Sequence, residues 1–236
     1  MKSLNKEELF DLLSSPKKEE FDEIAFNLFR NFFIKKHQID KEGARIVFYR
    51  FKEIEFYLYN SETNDCPTIN RDCLPGQWFL HRYGVDLTFA TTEVNSEING
   101  EVYRELKEFG GILIRGIEKV SEADSLVISG PQRCLFELFN CTDKYPELCE
   151  IKEAAQCQES TLTTIFKGKR ILGHSTSDED GGNYLFRYYV GNVDWEQERS
   201  QICEVKSDGI YHVVWRKTAY KYRDRPLDND VIVIDK

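Results

Sequence analysis

The sequence predicts an α/β protein of the α+β type, in which helices flank a mixed, curved or barrel-like sheet rich in antiparallel strands. Near the N-terminus, apolar residues recur every three or four positions, a spacing typical of amphipathic helices. Most other apolar residues fall in short alternating runs with many β-branched and aromatic side chains, which predict strands. A hydrophobic fraction of 41% in 236 residues is sufficient for one sizeable core.

Two helices are predicted in the first part of the chain. Leu4 to Leu13 has the pattern of a short helix, and the Ser-Ser-Pro sequence after it favours an end there. A second helix is predicted from about Glu19 to Lys36, where phenylalanines and aliphatic residues keep helical spacing. We therefore expect a helical extension over residues 1–20 and a single main domain over residues 21–236, with a C-terminal β extension from about residue 192.

The later elements are predicted mainly as strands. Alternation predicts strands in the following segments: 44–59, 78–89, 111–117, 184–190, 210–215 and 231–234. The polar stretch 91–109 between two of them is expected to be a connection that contains a short helix. Gly130 and Pro131 predict the start of a helix that continues to Phe139, and residues 145–158 are expected to form another.

The charge balance limits the classes of partner. A net charge of −9 argues against a protein devoted to non-specific DNA binding, which normally carries a basic surface. A local basic cleft for double-stranded DNA remains compatible with this total, because a sum does not locate the charges. The segment 215–225 interleaves aromatic with basic residues, so Arg216, Lys217 and Lys221 are candidate contacts to the DNA backbone. A basic amphipathic edge strand is the alternative interpretation.

Cysteine usage and hydropathy point to a cytoplasmic protein. No apolar run approaches the ~20 residues that span a bilayer, and acidic and lysine residues interrupt the first twenty positions, so neither a membrane span nor a signal peptide is predicted. Seven cysteines without a C-x-x-C pair fit neither a disulfide scaffold nor a zinc site. We expect reduced thiols, no metal and no cofactor; the sequence does not predict an oligomeric state.

Several short segments between about residues 22 and 191 have the residue types and the order of motifs from a known protein family. They are Arg50 to Leu58 (RFKEIEFYL), Pro75-Gly76 followed by Tyr83-Gly84, Gly111 to Ile117 (GILIRGI), Ser129 to Leu135 (SGPQRCL), and Arg170 to Gly173 (RILG) followed by Leu185 to Val190 (LFRYYV). In order and spacing, these segments resemble the alkyladenine (3-methyladenine) DNA glycosylase family. The resemblance implies that family's fold, and hydrolysis of the bond between a damaged base and deoxyribose after base flipping.

The resemblance also implies roles for single residues. Glu55 would be the general base that activates water against the sugar carbon, and its charge would stabilise the oxocarbenium character of the transition state. Tyr57 would stack on the extruded base, Tyr83 would intercalate where that base leaves the duplex, and Arg115 would lie beside the pocket or contact a phosphate. His174, just after one of the matching segments, would reach the same pocket.

His81 is a candidate on its own chemistry. It begins a predicted turn that also holds Arg82 and Asp86, where a nearby carboxylate would tune its ring for proton transfer or substrate binding.

Each of these residues also has a structural interpretation. A glutamate in an alternating strand is commonly a solvated side chain, a tyrosine commonly packs across strands, and a histidine commonly makes structural hydrogen bonds. Three classes of function therefore remain open. They are a DNA N-glycosylase, a non-catalytic member of the same fold that binds a small ligand or a protein, and a hydrolase acting on a nucleoside or another glycoside through Glu55 with His81 or Asp86.

Overall fold

The computed structural model describes residues 1–63, 68–99, 101–120, 126–153, 165–168, 170, 186–190, 200–205, 211–217 and 232–233. Its helices are α1 (Lys6–Ser14), α2 (Phe21–Asn31) and α3 (Pro131–Phe139). Its strands are β1 (Phe32–Asp40), β2 (Gly43–Tyr59), β3 (Trp78–His81), β4 (Gly84–Thr88), β5 (Thr92–Ile98), β6 (Glu101–Val120), β7 (Leu126–Ser129), β8 (Glu147–Glu150), β9 (Ile165–Gly168), β10 (Arg187–Val190), β11 (Ser200–Val205), β12 (Tyr211–Lys217) and β13 (Ile232–Val233).

The strands belong to two compact units. The first unit covers Met1–Gly191 and Asp230–Lys236, and the second covers Asn192–Asn229. In the first unit, the long path through the sheet runs β13-β9-β10-β2-β6-β4-β3, while β1 pairs with β2 and β8, and both β5 and β7 pair with β6. In the second unit, β11 and β12 form an antiparallel pair.

The predicted α+β class is confirmed: an open, antiparallel, strand-rich sheet carries few helices in the described residues. No helix in the described ranges is long and apolar enough to cross a membrane.

The N-terminal helices begin where expected, but α2 ends early. At the start of α1, the side chain of Asn5 accepts a hydrogen bond from the Glu8 N–H while Glu8 caps the Asn5 N–H. The predicted helix from Glu19 to Lys36 ends at Asn31, because Phe32 and the residues after it enter β1 and pair with both β2 and β8. Tertiary pairing has overridden the local helical spacing there.

Two segments with predicted helical structure, 91–109 and 145–158, contain strands instead. The polar stretch 91–109 forms β5 and the first part of β6, which pair from Thr92 with Glu108 to Ile98 with Glu101. Charged side chains are tolerated in this hairpin because its described side chains are mostly exposed. The expected helix over 145–158 is replaced, in its described part, by β8 and a short 3-10 turn over Ile151–Glu153. The predicted helix from Pro131 to Phe139 is confirmed as α3.

The core of the first unit joins α2 to the middle of the sheet. Phe21, the first residue of α2, stacks on Phe56 of β2 with ring centroids 4.3 Å apart. The same ring lies 5.9 Å from Phe89 and meets Phe186 edge-on at 5.0 Å. Phe21 and Phe56 are both fully buried. This aromatic packing holds β2 at Phe56, the residue directly after Glu55.

Asn27 fastens the N-terminal segment to α2. Its side-chain oxygen accepts a hydrogen bond from the Leu4 N–H, and its amide donates to the carbonyls of Lys2 and Glu23. Asn27 is fully buried, so an alanine would leave these backbone groups without that partner. We expect Asn27→Ala to lower the free energy of unfolding by about 1–3 kcal/mol in urea denaturation. An unchanged midpoint and slope would contradict this.

Candidate active site

Two buried glutamates lie on β2 where its pairing with β6 is irregular. Glu53 is opposite Gly116 and Glu55 is opposite Leu113, and the register shifts on either side of Glu53. An added Cβ at Gly116 would lie 3.1 Å from the Cβ of Glu53, so the glycine lets the strands approach closely. Glu53 is 3% exposed and Glu55 is 0% exposed. Both side chains are therefore buried, although alternation along the strand suggests that they face solvent.

Two arginines balance these carboxylates. Arg115 of β6 donates from Nε to Glu53 Oε1 at 2.9 Å and from an Nη to Glu55 Oε2 at 3.1 Å. Arg187 of β10, opposite Glu55 in the sheet, donates from Nε to Glu53 Oε1 at 2.7 Å and lies 3.9 Å from Glu55 Oε1. Burial works against the charge of Arg115, but Glu55 and Glu53 outweigh it and raise the pKa of the guanidinium.

Tyr57 also contacts Glu55. Its hydroxyl donates to Glu55 Oε2 at 2.9 Å, the oxygen that also accepts from Arg115. Burial first, and then the charge of Glu55, raise the pKa of this phenol well above its usual value, so Tyr57 stays a neutral donor. The guanidinium carbon of Arg170 lies 4.6 Å over the Tyr57 ring, and one Nη of Arg170 donates to the Phe56 carbonyl at 3.1 Å. Tyr57 itself remains half-buried.

A second charged cluster centres on Asp86 of β4. One Asp86 oxygen accepts from Arg71, and the other lies 3.0 Å from His81 Nε2. The Tyr83 N–H donates to His81 Nδ1 at 3.3 Å, which fits a neutral ring whose Nε2–H donates to Asp86. The side chains of Asp86 and Arg71 are almost fully buried, and the Arg71 guanidinium lies 4.5 Å from the Phe79 ring centroid.

One row of the sheet places the two clusters on the same face. Arg187 pairs with Glu55, Glu55 with Leu113, and Leu113 with Asp86. Directly opposite residues in antiparallel strands point to the same face, so Glu55 and Asp86 share a face with Leu113 between them. Two strand spacings separate their backbones by about 10 Å. The face is thus lined by two carboxylate centres, each already charge-balanced by arginine.

The structure brings some of the sequence-predicted residues together. Glu55, Tyr57 and Arg115 are in direct hydrogen-bond contact, and His81 belongs to the neighbouring Asp86 cluster. Tyr83 lies in the turn between β3 and β4, is 51% exposed, and carries the Arg82 guanidinium 4.5 Å over its ring.

The remaining predicted site residues are His174, Arg216, Lys217 and Lys221, all in the later part of the sequence. Arg216 and Lys217 lie on β12 in the second unit, paired with Gln201 and Ser200. His174 and Lys221 lie outside the described residues.

From the sequence, Arg187, Arg170 and Glu53 have no predicted role in the site. A usable signal was present: single charged residues interrupt otherwise apolar strand segments at Arg115 and Arg187, and a charge in a buried strand requires a partner. Within the described ranges, no group of three or more histidine, cysteine, aspartate or glutamate side chains is arranged to hold a metal ion.

Comparisons with known proteins add no assignment. No sequence model of a known protein family matches the chain, and no curated protein matches it either. The geometry of the Glu55 cluster must therefore support any functional proposal by itself.

Proposed function

We propose that the chain is an N-glycosylase-like hydrolase that releases a base from DNA, with Glu55 as its general base. The observation that carries the proposal is that one oxygen of a fully buried glutamate accepts hydrogen bonds from both Arg115 and Tyr57. The alkyladenine DNA glycosylase fold is part of the same proposal, as are action on double-stranded DNA and a cytoplasmic location.

The chemistry follows from this environment. Arg115 and the Tyr57 hydroxyl both donate to Glu55 Oε2 and hold the carboxylate in place, and a general base must lie within hydrogen-bond reach of the proton that it takes. Glu55 takes a proton from water as the water attacks the sugar carbon, and the base departs with the electrons of the N-glycosidic bond. In a buried site, the same negative charge stabilises the positive charge that develops on the sugar. The step uses only protein side chains and water.

The surroundings suggest how DNA would be engaged. Tyr83 is the exposed aromatic residue of the β3–β4 turn, and the turn belongs to the strand pair that carries Asp86 on the same sheet face as Glu55. An exposed aromatic ring beside an arginine is suited to fill the space that a flipped nucleotide leaves.

The test is base release from duplex DNA, each duplex carrying one modified base, scored by strand cleavage at the resulting abasic site. We expect the wild-type protein to release at least one of the bases and Glu55→Gln to lower the single-turnover rate at least about 100-fold. Glutamine keeps the size of the side chain and can still accept from Arg115 and Tyr57, but it cannot take the proton. Equal rates for the two proteins would remove Glu55 from the mechanism.

A second candidate is a non-catalytic member of the same fold that binds a small ligand or a protein. The full burial of Glu55 and its pairing with two arginines favour it, since buried ion pairs also occur as purely structural features. On this alternative, Glu55→Gln changes stability, and no duplex in the panel loses a base with either protein. Release that disappears in the glutamine variant would exclude it.

A further inference from the structure

The position of Arg170 bears on which bases Tyr57 can stack against. Its guanidinium carbon is 4.6 Å over the Tyr57 ring and 5.4 Å from the Phe186 ring centroid. Arg170 is 5% exposed, and its hydrogen bond to the Phe56 carbonyl fixes it to the backbone residue directly before Tyr57. A permanent positive charge is therefore held against one face of the ring proposed to stack on a base.

The π-electron density of an aromatic ring attracts cations to both faces. A cation bound to one face polarises this density and so weakens the attraction of a second cation to the other face. The nearby charge of Arg115 is balanced by Glu53 and Glu55, so Arg170 supplies the positive charge on the face of the ring. Cation–π attraction is strongest when the cation is desolvated, so an arginine already on the ring is a handicap for binding a charged base. Stacking of a neutral base depends on dispersion and apolar contact, and it does not suffer this repulsion.

We infer that Arg170 makes the Tyr57 site selective for neutral bases over positively charged, N-alkylated bases. The inference rests on the proposed function, since it needs Tyr57 to stack on an extruded base. In this role Arg170 is a specificity-determining residue that acts through Tyr57 and not on the reacting atoms. Its consequence is that deaminated, oxidised or otherwise uncharged bases fit this chain better than cationic ones.

The experiment compares two duplexes that differ at one base, by a methyl group and the positive charge that it brings. One carries adenine and the other N1-methyladenine, which is positively charged at neutral pH, each opposite cytosine and on a 2′-fluorinated sugar that resists cleavage. Binding is measured by fluorescence anisotropy at fixed salt. We expect the wild-type protein to bind the neutral duplex about tenfold more tightly than the charged duplex. An equal affinity, a preference for the charged duplex, or no binding that depends on the base would overturn the inference.

Two substitutions of Arg170 separate charge from shape. Arg170→Gln keeps a donor for the Phe56 carbonyl and removes the charge, so the affinity ratio should fall towards one. Arg170→Lys keeps the charge and should preserve most of the discrimination; a ratio that follows side-chain shape and not charge would contradict the inference. Arg30→Met is the matched control, because Arg30 lies 5.0 Å over the Phe26 ring of α2, and it should leave the ratio unchanged.

Binding and base release distinguish the two proposals. If the protein discriminates between the duplexes but releases no base from cleavable DNA, the proposed catalysis is wrong and the role of Arg170 is supported. If the protein releases charged bases in preference to neutral bases, the role of Arg170 is wrong and catalysis by Glu55 is supported. If Arg170→Gln does not fold, the wild-type ratio alone still decides the inference.

Discussion

Replacement of Arg115 by methionine is expected to lower the free energy of unfolding by about 3–5 kcal/mol. Arg115 contacts both Glu53 and Glu55, and all three side chains are at least nine-tenths buried. Methionine fills much of the same volume but leaves two buried carboxylates with Arg187 as the remaining arginine partner in the described contacts. The loss of stability comes from burying a negative charge without enough positive charge beside it. It does not depend on how much the intact ion pairs contribute to stability.

Urea denaturation of the purified variant measures this loss. The matched control is Lys52→Met, because Lys52 pairs at 3.6 Å with Glu118 across the same two strands, but both side chains are partly exposed. A pair near the surface contributes about 0–1 kcal/mol, so Lys52→Met should shift the midpoint little. If both variants lose the same free energy of unfolding, the buried ion pairs contribute no more to stability than the pair near the surface.

Phe21→Ala is expected to cost about 3–5 kcal/mol of unfolding free energy. Phe21 is fully buried and its ring touches Phe56, Phe89 and Phe186, so the substitution removes apolar burial and three aromatic contacts at once. The cavity would open on the core side of β2, beside the backbone that carries Glu55. We therefore also expect faster amide hydrogen exchange at Phe56.

The control for this cavity is Phe136→Ala on α3. Phe136 is 43% exposed, so its removal should change stability by less than about 1 kcal/mol. A small loss for Phe21→Ala, close to that of the control, would show that the aromatic contacts are not the main packing between α2 and the sheet.

The sequence predicts much of the local structure of this site but not its environment. Glu55 and Tyr57 lie in the predicted strand, and Tyr83 lies in a turn as its neighbours indicated. The burial of Glu53 and Glu55 could not be deduced, because charged residues that alternate with apolar ones are typical of a half-solvated strand. Their partner Arg187 is 134 positions from Glu53 in the sequence. Only the sheet order, in which β10 lies beside β2, brings them together.

The early end of α2 has the same non-local origin. Phe32 and Phe33 fit helical spacing, but Phe33 pairs with Cys149 on β8, a contact over 116 positions. The polar residues of β5 and β6 lack the apolar alternation of a buried strand, because this hairpin is exposed over most of its length. The local pattern therefore located the elements that face the core. It failed where a distant strand decides the conformation, and where an exposed hairpin lacks apolar alternation.

The most direct test of the Glu55 centre compares two neighbouring carboxylates of one buried network. Base release is measured under single-turnover conditions for Glu55→Gln and Glu53→Gln, with the folded fraction of each sample determined by circular dichroism. Both substitutions remove one negative charge beside Arg115 and Arg187, but only one removes the proposed base. We predict at least about 100-fold loss for Glu55→Gln and less than about tenfold loss for Glu53→Gln. Equal rates per folded molecule for the two variants would contradict the assignment of Glu55 as the catalytic base.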